Sequence, residues 1–268
     1  MRQSLDLDRF PIDCLESDRG RSFVSACRSA LAADGMVDLP GLVRPAALRD
    51  SVAEIAPLFP ASAFRHKRAH NVYFDDDIAG LAPDHPALRR LETANHTVCA
   101  DQIPHNLVCR LYAWPPFAAF LAAVLEKPRL YTMDDPLACV NVMSYGAGDA
   151  LNWHFDRSEF TTTLLLQAPL EGGLFQYRPG LRSPGNPNYA GVQRLLKDKD
   201  DEVKSRPTAA GTLSLFKGRD TAHRITPVEG GRNRIVTVFS FYEKPGVRFS
   251  AAERRGFYGR ASAEESLA

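Results

Sequence analysis

The amino-acid sequence predicts a mainly β fold with flanking helices, an α+β protein built on a jelly-roll core. Short β-branched and apolar runs follow one another after residue 130, Gly and Pro turns separate them, and few helical patterns lie between them. Hydrophobic residues make up 44% of the 268 residues, which is ample core material for a single domain over 1–268.

Residues 1–130 are expected to form a helix-rich part that packs on this core. The first twenty residues are polar and irregular, which predicts an N-terminal arm. Farther on, apolar residues recur at helical spacing between turn residues. The predicted elements are a helix over 22–34, a strand over 35–42, a helix from Pro45 to Pro60 and an apolar helix over 115–125.

The jelly roll is predicted over 136–243. Its expected strands cover 139–145, 161–167, 174–177, 211–216 and 234–242. An insertion over 179–209, with a short helix near 189–196, is long for a connection and is interpreted as a lid. Its charge run over 197–202 is typical of a solvated face. Residues 244–268 predict a polar tail, of which 257–260 fold back onto the body.

Charge and cysteine usage restrict the class of protein. The net charge is +1, which favours neither a nucleic-acid partner nor a membrane surface. The five cysteines form no CxxC pair and Met1 opens no secretory leader, so reduced thiols and a cytoplasmic location are expected. No apolar run approaches the ~20 residues of a membrane span. The oligomeric state stays open.

A possible metal site lies in the stretch 152–156, Asn-Trp-His-Phe-Asp. Because residues i and i+2 of a strand point to the same side, His154 and Asp156 converge on one spot. His223 can complete a triangular face around an ion. Two His and one carboxylate on one face are typical of non-haem Fe(II) oxygenases, although His-x-Asp alone is a weak signal. Hydrogen-bonded structural histidines are the alternative.

Such an oxygenase needs a source of two electrons, most commonly 2-oxoglutarate. The distal carboxylate of that co-substrate needs a buried cation, best an Arg fork. Arg234 opens an apolar strand eleven positions after His223 and is the preferred candidate. Arg232, in the Gly230-Gly231 turn, is expected to face solvent.

The order of these motifs over about 136–243 resembles Fe(II)/2-oxoglutarate-dependent dioxygenases. The resemblance includes Asn141-x-x-x-Tyr145 before the His154-x-Asp156 motif, Glu171-Gly172-Gly173 after it, and the stretch from Gly211 through His223 to Arg234. It implies a double-stranded β-helix (cupin-like) with His154, Asp156 and His223 as iron ligands and Arg234 as the 2-oxoglutarate anchor. Asn141 and Tyr145 fall where that family often places further co-substrate contacts.

Three stretches outside the core resemble a bacterial branch of hydroxylases and radical halogenases that act on free amino acids or other small metabolites. They are Gly35 to Gly41, His70-Asn71-Val72-Tyr73-Phe74 and Phe257-Tyr258-Gly259-Arg260. Halogenases of that branch carry Gly or Ala at the carboxylate position, which frees a coordination site for chloride. Asp156 stands there in this chain. The resemblance therefore implies Fe(II), 2-oxoglutarate and O2, and hydroxylation or desaturation of a small molecule with release of succinate and CO2. Asn152 or Trp153 is expected to orient the ligands.

Two other functions stay open: an oxygenase that modifies a protein or peptide side chain, and a β-barrel that binds a metal or ligand without turnover. The segment 63–77, which includes the acids Asp75, Asp76 and Asp77, is either a solvated loop or part of the substrate pocket. The cluster over 96–102 is either a pocket or a structural group. Arg157 either grips a substrate carboxylate or pairs with Glu159. The candidate substrate residues are His70, Asn71, His96, Thr97, Asp101, Gln102 and Arg157.

Overall fold

The computed structural model describes residues 1–75, 78 and 80–265, and within this part the chain is built mainly from antiparallel sheets. The mainly β fold with flanking helices is thereby confirmed. The strands are β1 (Met36–Leu39), β2 (Phe64–His70), β3 (Leu91–Cys99), β4 (Tyr131–Thr132), β5 (Val140–Tyr145), β6 (Leu151–His154), β7 (Thr161–Gln167), β8 (Glu171–Gly172), β9 (Phe175–Arg178), β10 (Lys204–Arg206), β11 (Leu213–Phe216), β12 (Ala222–Ile225), β13 (Val228–Glu229), β14 (Arg234–Phe239) and β15 (Phe241–Tyr242).

Seven α-helices flank these strands in the described residues. They are α1 (Asp18–Asp34), α2 (Pro45–Ile55), α3 (Leu58–Ser62), α4 (Leu107–Tyr112), α5 (Pro115–Val124), α6 (Tyr189–Leu196) and α7 (Ala251–Tyr258). Short 3-10 turns cover Pro86–Leu88 and Ala100–Gln102. No helix in the portion of the chain covered by the structure is long and apolar enough to cross a membrane.

Two sheets form the core. The larger has the order β1-β11-β7-β14-β5-β3-β2 and the smaller the order β10-β9-β12-β6. Apolar side chains of both sheets pack together between them, since Met36 and Phe216 of the larger sheet share a cluster with Phe175, Tyr177 and Ile225 of the smaller one. The outer face of the larger sheet buries its apolar residues against α1, α4 and α5. This sandwich leaves the inner face of the larger sheet available for polar groups.

The first helix begins and ends at cap residues. The Ser17 side chain accepts a hydrogen bond from the Gly20 backbone N–H, so α1 begins at Asp18, four residues earlier than predicted. Gly35 ends the helix with φ of 73°, and a Cβ there would lie 2.3 Å from Cβ of Pro179. A glycine at this position therefore allows both the left-handed turn and the close approach of the insertion.

The N-terminal arm is not a solvated segment, although its composition is polar. Leu5, Leu7, Phe10 and Ile12 are all buried and belong to the main core cluster. The Asp6 backbone N–H donates to Leu42 O, and the Arg44 N–H donates to Ser4 O, which fixes the arm along the body. The arm is irregular in secondary structure, as expected, but the sequence did not predict that its apolar residues are buried.

The first part of the segment 63–77 is a strand, and the prediction of a solvated loop is wrong there. β2 covers Phe64–His70 and pairs with β3 in the register Phe64↔Thr97 to His70↔Leu91. Every second side chain of β2 is more buried than its neighbours, which is the pattern of a strand with one face inward. Asp76 and Asp77 lie outside the described residues.

The insertion carries the predicted helix, α6, but its charge run is not simply a solvated face. Asp200 is almost fully buried, and both of its carboxylate oxygens accept hydrogen bonds from Nε of Arg178 at 3.1 Å. Glu202 pairs with the same guanidinium at 2.9 Å. This ion pair fixes the end of the insertion to β9.

The C-terminal tail folds back, as expected, and it also contains α7. Tyr258 donates a hydrogen bond from its hydroxyl to Oδ1 of Asn141 at 2.9 Å. Arg260 forms a two-pronged ion pair with Asp101 at 2.7 and 2.8 Å. Gln102 caps the strand end by accepting from the Cys99 backbone N–H and donating to Ser62. Asp101 and Gln102 therefore belong to a structural group, and the pocket interpretation of these two residues is corrected.

Removing the Asp101 carboxylate should destabilise the fold, because it leaves the buried Arg260 guanidinium without its partner. We expect Asp101→Ala to lower the free energy of unfolding by about 3 kcal/mol. Urea unfolding of Asp101→Ala and of the double variant Asp101→Ala/Arg260→Met is the measurement. The double variant should recover part of the loss, and equal stability of Asp101→Ala and the unmodified protein would contradict the buried pair.

Candidate metal centre

His154, Asp156 and His223 converge on one point between the sheets. One potential ligand atom from each lies within 4.8 Å of the other two. Nε2 of His154 is 3.4 Å from Oδ1 of Asp156, and Nε2 of His223 is 3.4 Å from Oδ2 of the same carboxylate. In the described residues no other group of three His, Cys, Asp or Glu side chains has this arrangement.

Strand pairing brings the two histidines together. β12 pairs with β6, with His223 directly opposite His154, and the two ring centroids are 4.1 Å apart. Each Nδ1–H donates to a backbone carbonyl two residues earlier: Asn152 O at 2.8 Å for His154, and Thr221 O at 3.0 Å for His223. Since Nδ1 carries the proton, both Nε2 lone pairs are free for a metal.

The expectation that Asn152 or Trp153 orients the ligands is met only in part. Asn152 orients His154 through its backbone oxygen, while its side chain donates to the Glu92 backbone. Trp153 points away into a separate apolar cluster and lies under the Arg224 guanidinium.

The carboxylate is held from the other side by β7 and the loop before β12. The Thr161 hydroxyl donates to Oδ2 of Asp156, and the Asp156 backbone N–H donates to Gly218 O at 3.0 Å. A Cβ at position 218 would lie 2.3 Å from both Oδ2 of Asp156 and Oγ1 of Thr161. Glycine at 218 is thus required by close approach, and it creates the space in which the carboxylate and the hydroxyl meet.

The ionisation of the site suits a cation. Burial raises the pKa of the Asp156 carboxyl, but the two imidazoles and the Thr161 hydroxyl outweigh burial and hold the pKa well below its usual value. Burial lowers the pKa of His223 to about 4 despite the attraction of Asp156. At pH 7 the carboxylate is therefore charged and His223 is neutral, the forms that bind a metal.

Arg234 is buried on β14, as predicted, whereas Arg232 is exposed and donates to the Pro169 backbone. Burial lowers the pKa of Arg234 to about 10, so the guanidinium is still charged at pH 7. Its nearest titratable neighbour is Tyr145, directly opposite on β5, and no acid in the described part of the chain forms an ion pair with it. A buried cation without an anion is the feature expected of a carboxylate-binding site.

The other two residues predicted to contact the co-substrate differ in their partners. Tyr145 lies beside Arg234, and its hydroxyl points to Sδ of Met143 at 3.6 Å. Asn141 is on the same face of β5, but its amide already donates to Leu137 O and accepts from Tyr258. The co-substrate role of both residues stays a prediction.

Two of the predicted substrate residues lie next to the triad. The His70 ring is 6.2 Å from the His154 ring, with its nitrogens hydrogen-bonded to the Asn71 backbone and to the Thr93 hydroxyl. Asn71 shapes the following turn, since its Oδ1 accepts from the Tyr73 and Asp75 backbone N–H groups. Both residues therefore build the wall and the loop, with no polar atom left over.

The remaining predicted substrate residues are divided among two faces of the hairpin and the surface. Thr97 faces inward and donates to Oδ1 of Asn95, whereas His96 faces outward beside Arg65, which pairs with Asp149. Arg157 is exposed and pairs with Glu253 of α7 at 3.0 Å rather than with Glu159. The structure thus brings Thr97 to the inner face and takes His96 away from it.

Sequence reasoning did not single out Phe74, which lies beside the triad, or His66 and Asn95, which lie farther along the β2–β3 hairpin. Phe74 has a left-handed backbone with φ of 56°, stacks on His70 at 4.3 Å and lies 5.7 Å from the His154 ring. His66 and Asn95 are direct partners on β2 and β3. The alternation Phe64, His66, Arg68, His70 could have revealed this strand.

The family model described as "HalD: Halogenase D" matches residues 20–253. No curated protein sequence matches the chain significantly. Among solved structures, the non-heme alpha ketoglutarate dependent epimerase SnoN from nogalamycin biosynthesis is similar, with TM-score 0.57 and 16% identity over 82% of this chain and 81% of the epimerase.

The SnoN complex with Fe3+, alpha ketoglutarate and nogalamycin RO gives TM-score 0.55 and 18% identity over 82% of this chain and 84% of that one. A Pseudomonas putida prolyl-4-hydroxylase gives 0.51 and 14% over 80% and 96%. These likenesses confirm the double-stranded β-helix fold, and together with the family match they confirm the resemblance to 2-oxoglutarate-dependent oxygenases.

Filling the space at position 218 should disrupt the carboxylate. We expect Gly218→Ala to weaken binding of Co(II), a spectroscopic probe for the site, about 10- to 100-fold, because the methyl group displaces Asp156 and Thr161. Gly231→Ala is the matched control, since nothing lies within 4 Å of a Cβ there and its φ is not positive. Visible absorption of Co(II) titrations is the measurement, and equal affinities for the two variants would contradict the close-approach argument.

Proposed function

The chain belongs to the Halogenase D family, and on that premise we propose that it is a non-haem Fe(II)/2-oxoglutarate-dependent oxygenase. Its proposed reaction is hydroxylation of an unactivated C–H bond of a small polar metabolite, such as a free amino acid. The observation that carries the proposal is the triad of His154, Asp156 and His223 next to a buried Arg234 without an acidic partner.

The donor set fits Fe(II). Two imidazoles and one carboxylate on a single face are the facial arrangement of non-haem iron oxygenases, and they leave further coordination positions open. Both Nε2 atoms lie 3.4 Å from carboxylate oxygens, close enough for one ion to contact all three side chains. His154, Asp156 and His223 would hold the metal.

The surroundings of Arg234 fit 2-oxoglutarate. The guanidinium is 6% exposed, and a carboxylate would neutralise it with two parallel hydrogen bonds. Tyr145 lies opposite Arg234 on the neighbouring strand, and its contact with the co-substrate stays a prediction. The SnoN complex, which contains Fe3+ and alpha ketoglutarate in the same fold, is consistent with this assignment.

The residues of the chain bind, orient and exclude water, while Fe(II) with 2-oxoglutarate and O2 supplies the C–H oxidation and yields succinate and CO2. His154 and His223 present Nε2 because backbone carbonyls hold their Nδ1 protons. Thr161 fixes the Asp156 carboxylate. Phe74 and His70 shield the His154 side of the site from solvent, and such shielding strengthens every charge interaction inside it.

Halogenation is the second candidate, because the family model carries that name. Asp156 argues against it: the carboxylate approaches both imidazoles to 3.4 Å and fills the position that chloride would need. We therefore favour hydroxylation. A product that gains halogen in the presence of bromide, detected by its isotope pattern, would reverse this choice.

A small substrate is favoured over a protein side chain by the insertion over 179–209. Arg182 of this insertion donates to the backbone oxygens of Arg219 and Asp156 at 2.6 and 3.5 Å. Tyr73 donates to Pro187 O at 2.6 Å and contacts Tyr189 edge-on. The insertion is thus joined to the loops that carry the triad, where it can serve as a lid over a small molecule.

An anaerobic titration with Fe(II) and then 2-oxoglutarate tests the proposal. The purified protein should develop the visible charge-transfer band of a chelated co-substrate. Asp156→Ala and His223→Ala should lose it, because each removes one of three ligands. A folded protein without the band would leave a non-catalytic metal- or ligand-binding protein as the function.

Arg234→Met should weaken 2-oxoglutarate without removing the metal site. We expect the Kd for 2-oxoglutarate, read from the same band, to rise about 100-fold, roughly 3 kcal/mol, because a charged hydrogen-bonded pair is lost. Arg232→Met is the matched control, since that side chain is exposed. If both variants changed the Kd equally, Arg234 would not be the anchor.

A further inference from the structure

The Arg182 guanidinium lies between two segments of backbone that meet beside the triad. Its Nε donates to Arg219 O at 2.6 Å, and its Nη2 donates to Asp156 O at 3.5 Å. The first acceptor belongs to the loop over 217–220, and the second belongs to a residue of the triad. One side chain of the insertion therefore bridges the backbone on both sides of the Asp156 carboxylate.

The two bridged segments are already in close contact with each other. The Asp156 backbone N–H donates to Gly218 O at 3.0 Å, and a Cβ at position 218 would lie 2.3 Å from Oδ2 of Asp156. Arg219 follows Gly218 directly, so the bond from Arg182 holds this loop where the carboxylate rests against it. Because no gap separates the loop from the carboxylate, a displacement of the loop would also displace the carboxylate.

Aromatic rings fix the Arg182 guanidinium in its place. It lies 4.1 Å over the Phe155 ring and 6.0 Å over the Tyr73 ring, and these two rings stack at 5.6 Å. Such contacts favour the planar guanidinium, whose donors are held in a rigid fork. Phe155 directly precedes Asp156. The stack thus holds the ligand segment from a second side.

The backbone around Arg182 is held as well. Its N–H donates to Asp220 O at 3.3 Å, and the preceding residue, Leu181, is buried in one apolar cluster with Phe155. Leu181 O accepts from Nδ2 of Asn188 at 2.7 Å. Arg182 forms no ion pair with an acid in the part of the chain that the structure describes. Its recorded hydrogen bonds go to backbone carbonyls, so its contribution is to position these segments.

We propose that Arg182 is a positioning residue through which the insertion over 179–209 sets the place of the Asp156 carboxylate. This inference rests on the proposed function, because it takes Asp156 as a metal ligand. Arg182 acts through the backbone of residues 156 and 219 rather than as a ligand. Since coupled free energies are reciprocal, loosening the insertion should weaken metal binding, and metal binding should stabilise the insertion.

The affinity for Co(II), read from visible absorption, tests the first half of this linkage. Arg182→Met keeps an unbranched apolar side chain and removes the donors. Its Kd for Co(II) should rise about tenfold, because the two segments lose the group that joins them. Tyr73→Phe is the matched control: it removes a bond of the same length, 2.6 Å, between the body and Pro187 of the insertion and keeps the ring. Its Kd should stay within about twofold of that of the unmodified protein.

Hydrogen exchange of peptides from 179–209 tests the second half. Saturation with Co(II) should slow amide exchange there in the unmodified protein and in Tyr73→Phe, because the metal stabilises the insertion. In Arg182→Met saturated with Co(II), this slowing should disappear. Arg182→Lys keeps the charge and one donor, and it replaces Arg182→Met if the latter does not fold. It should raise the Kd about threefold.

The contrary outcomes separate this inference from the proposed function. If the Arg182 variants bind Co(II) like the unmodified protein, or if Tyr73→Phe weakens binding as much as Arg182→Met, Arg182 only attaches the insertion and the inference is wrong. Equal slowing of exchange in Arg182→Met and in the unmodified protein would also contradict it. If the unmodified protein binds no Co(II) and forms no band with Fe(II) and 2-oxoglutarate, the proposed function itself fails.

Discussion

The pairing of β12 with β6 is the constraint on which the site depends. It places His223 directly opposite His154, although the two residues are far apart in the chain. A shift of one residue in this register would turn one imidazole to the outer face and remove it from the site. The register becomes irregular between His223 and Ile225, just past the ligand, so the regular pairing covers the position that matters. Backbone hydrogen bonds of this pairing thus hold the two imidazoles side by side.

The sequence predicted this centre because its signals are local. His154 and Asp156 are two residues apart on one strand and its exit, and Arg234 opens the largely apolar strand β14. A β-branched and apolar run predicted β7 with its correct bounds, and the short helix expected over 189–196 matches α6. Where the chemistry and the local period agree, sequence reasoning recovered both the element and its role.

The sequence did not predict β2, because the inner face of this strand is polar. Burial in β2 follows the alternation of Phe64, His66, Arg68 and His70, whereas the sequence signal of a strand is an alternation of apolar residues. The burial of the N-terminal arm was not predicted for the opposite reason. Its apolar residues lie in turns, and only tertiary contacts bury them. Asp200 sits in a charge run that looks solvated, and its partner Arg178 belongs to another strand. Partners that are distant in sequence cannot be read from a local window.

Hydrogen-bond satisfaction separates structural polar residues from binding ones better than residue type does. Asp101, Gln102 and Asn141 looked like pocket residues, yet the C-terminal tail and the strand ends use their polar atoms. Arg234 is buried as well, yet no acid among the described residues forms an ion pair with it. Folding disfavours a buried charge without a partner, so its persistence supports the proposed carboxylate-binding role of Arg234.

The same reasoning applies to Asp156 within a family named for halogenation. The carboxylate does not occupy its position alone: Thr161 donates to it, and Gly218 leaves the space in which they meet. Loss of the Asp156 side chain would leave the Thr161 hydroxyl without its acceptor beside an empty volume. The proposed third ligand therefore depends on three residues on three segments. Opening its coordination position, as the proposed alternative of halogen transfer would need, would leave the packing of Thr161 and Gly218 to be rearranged as well.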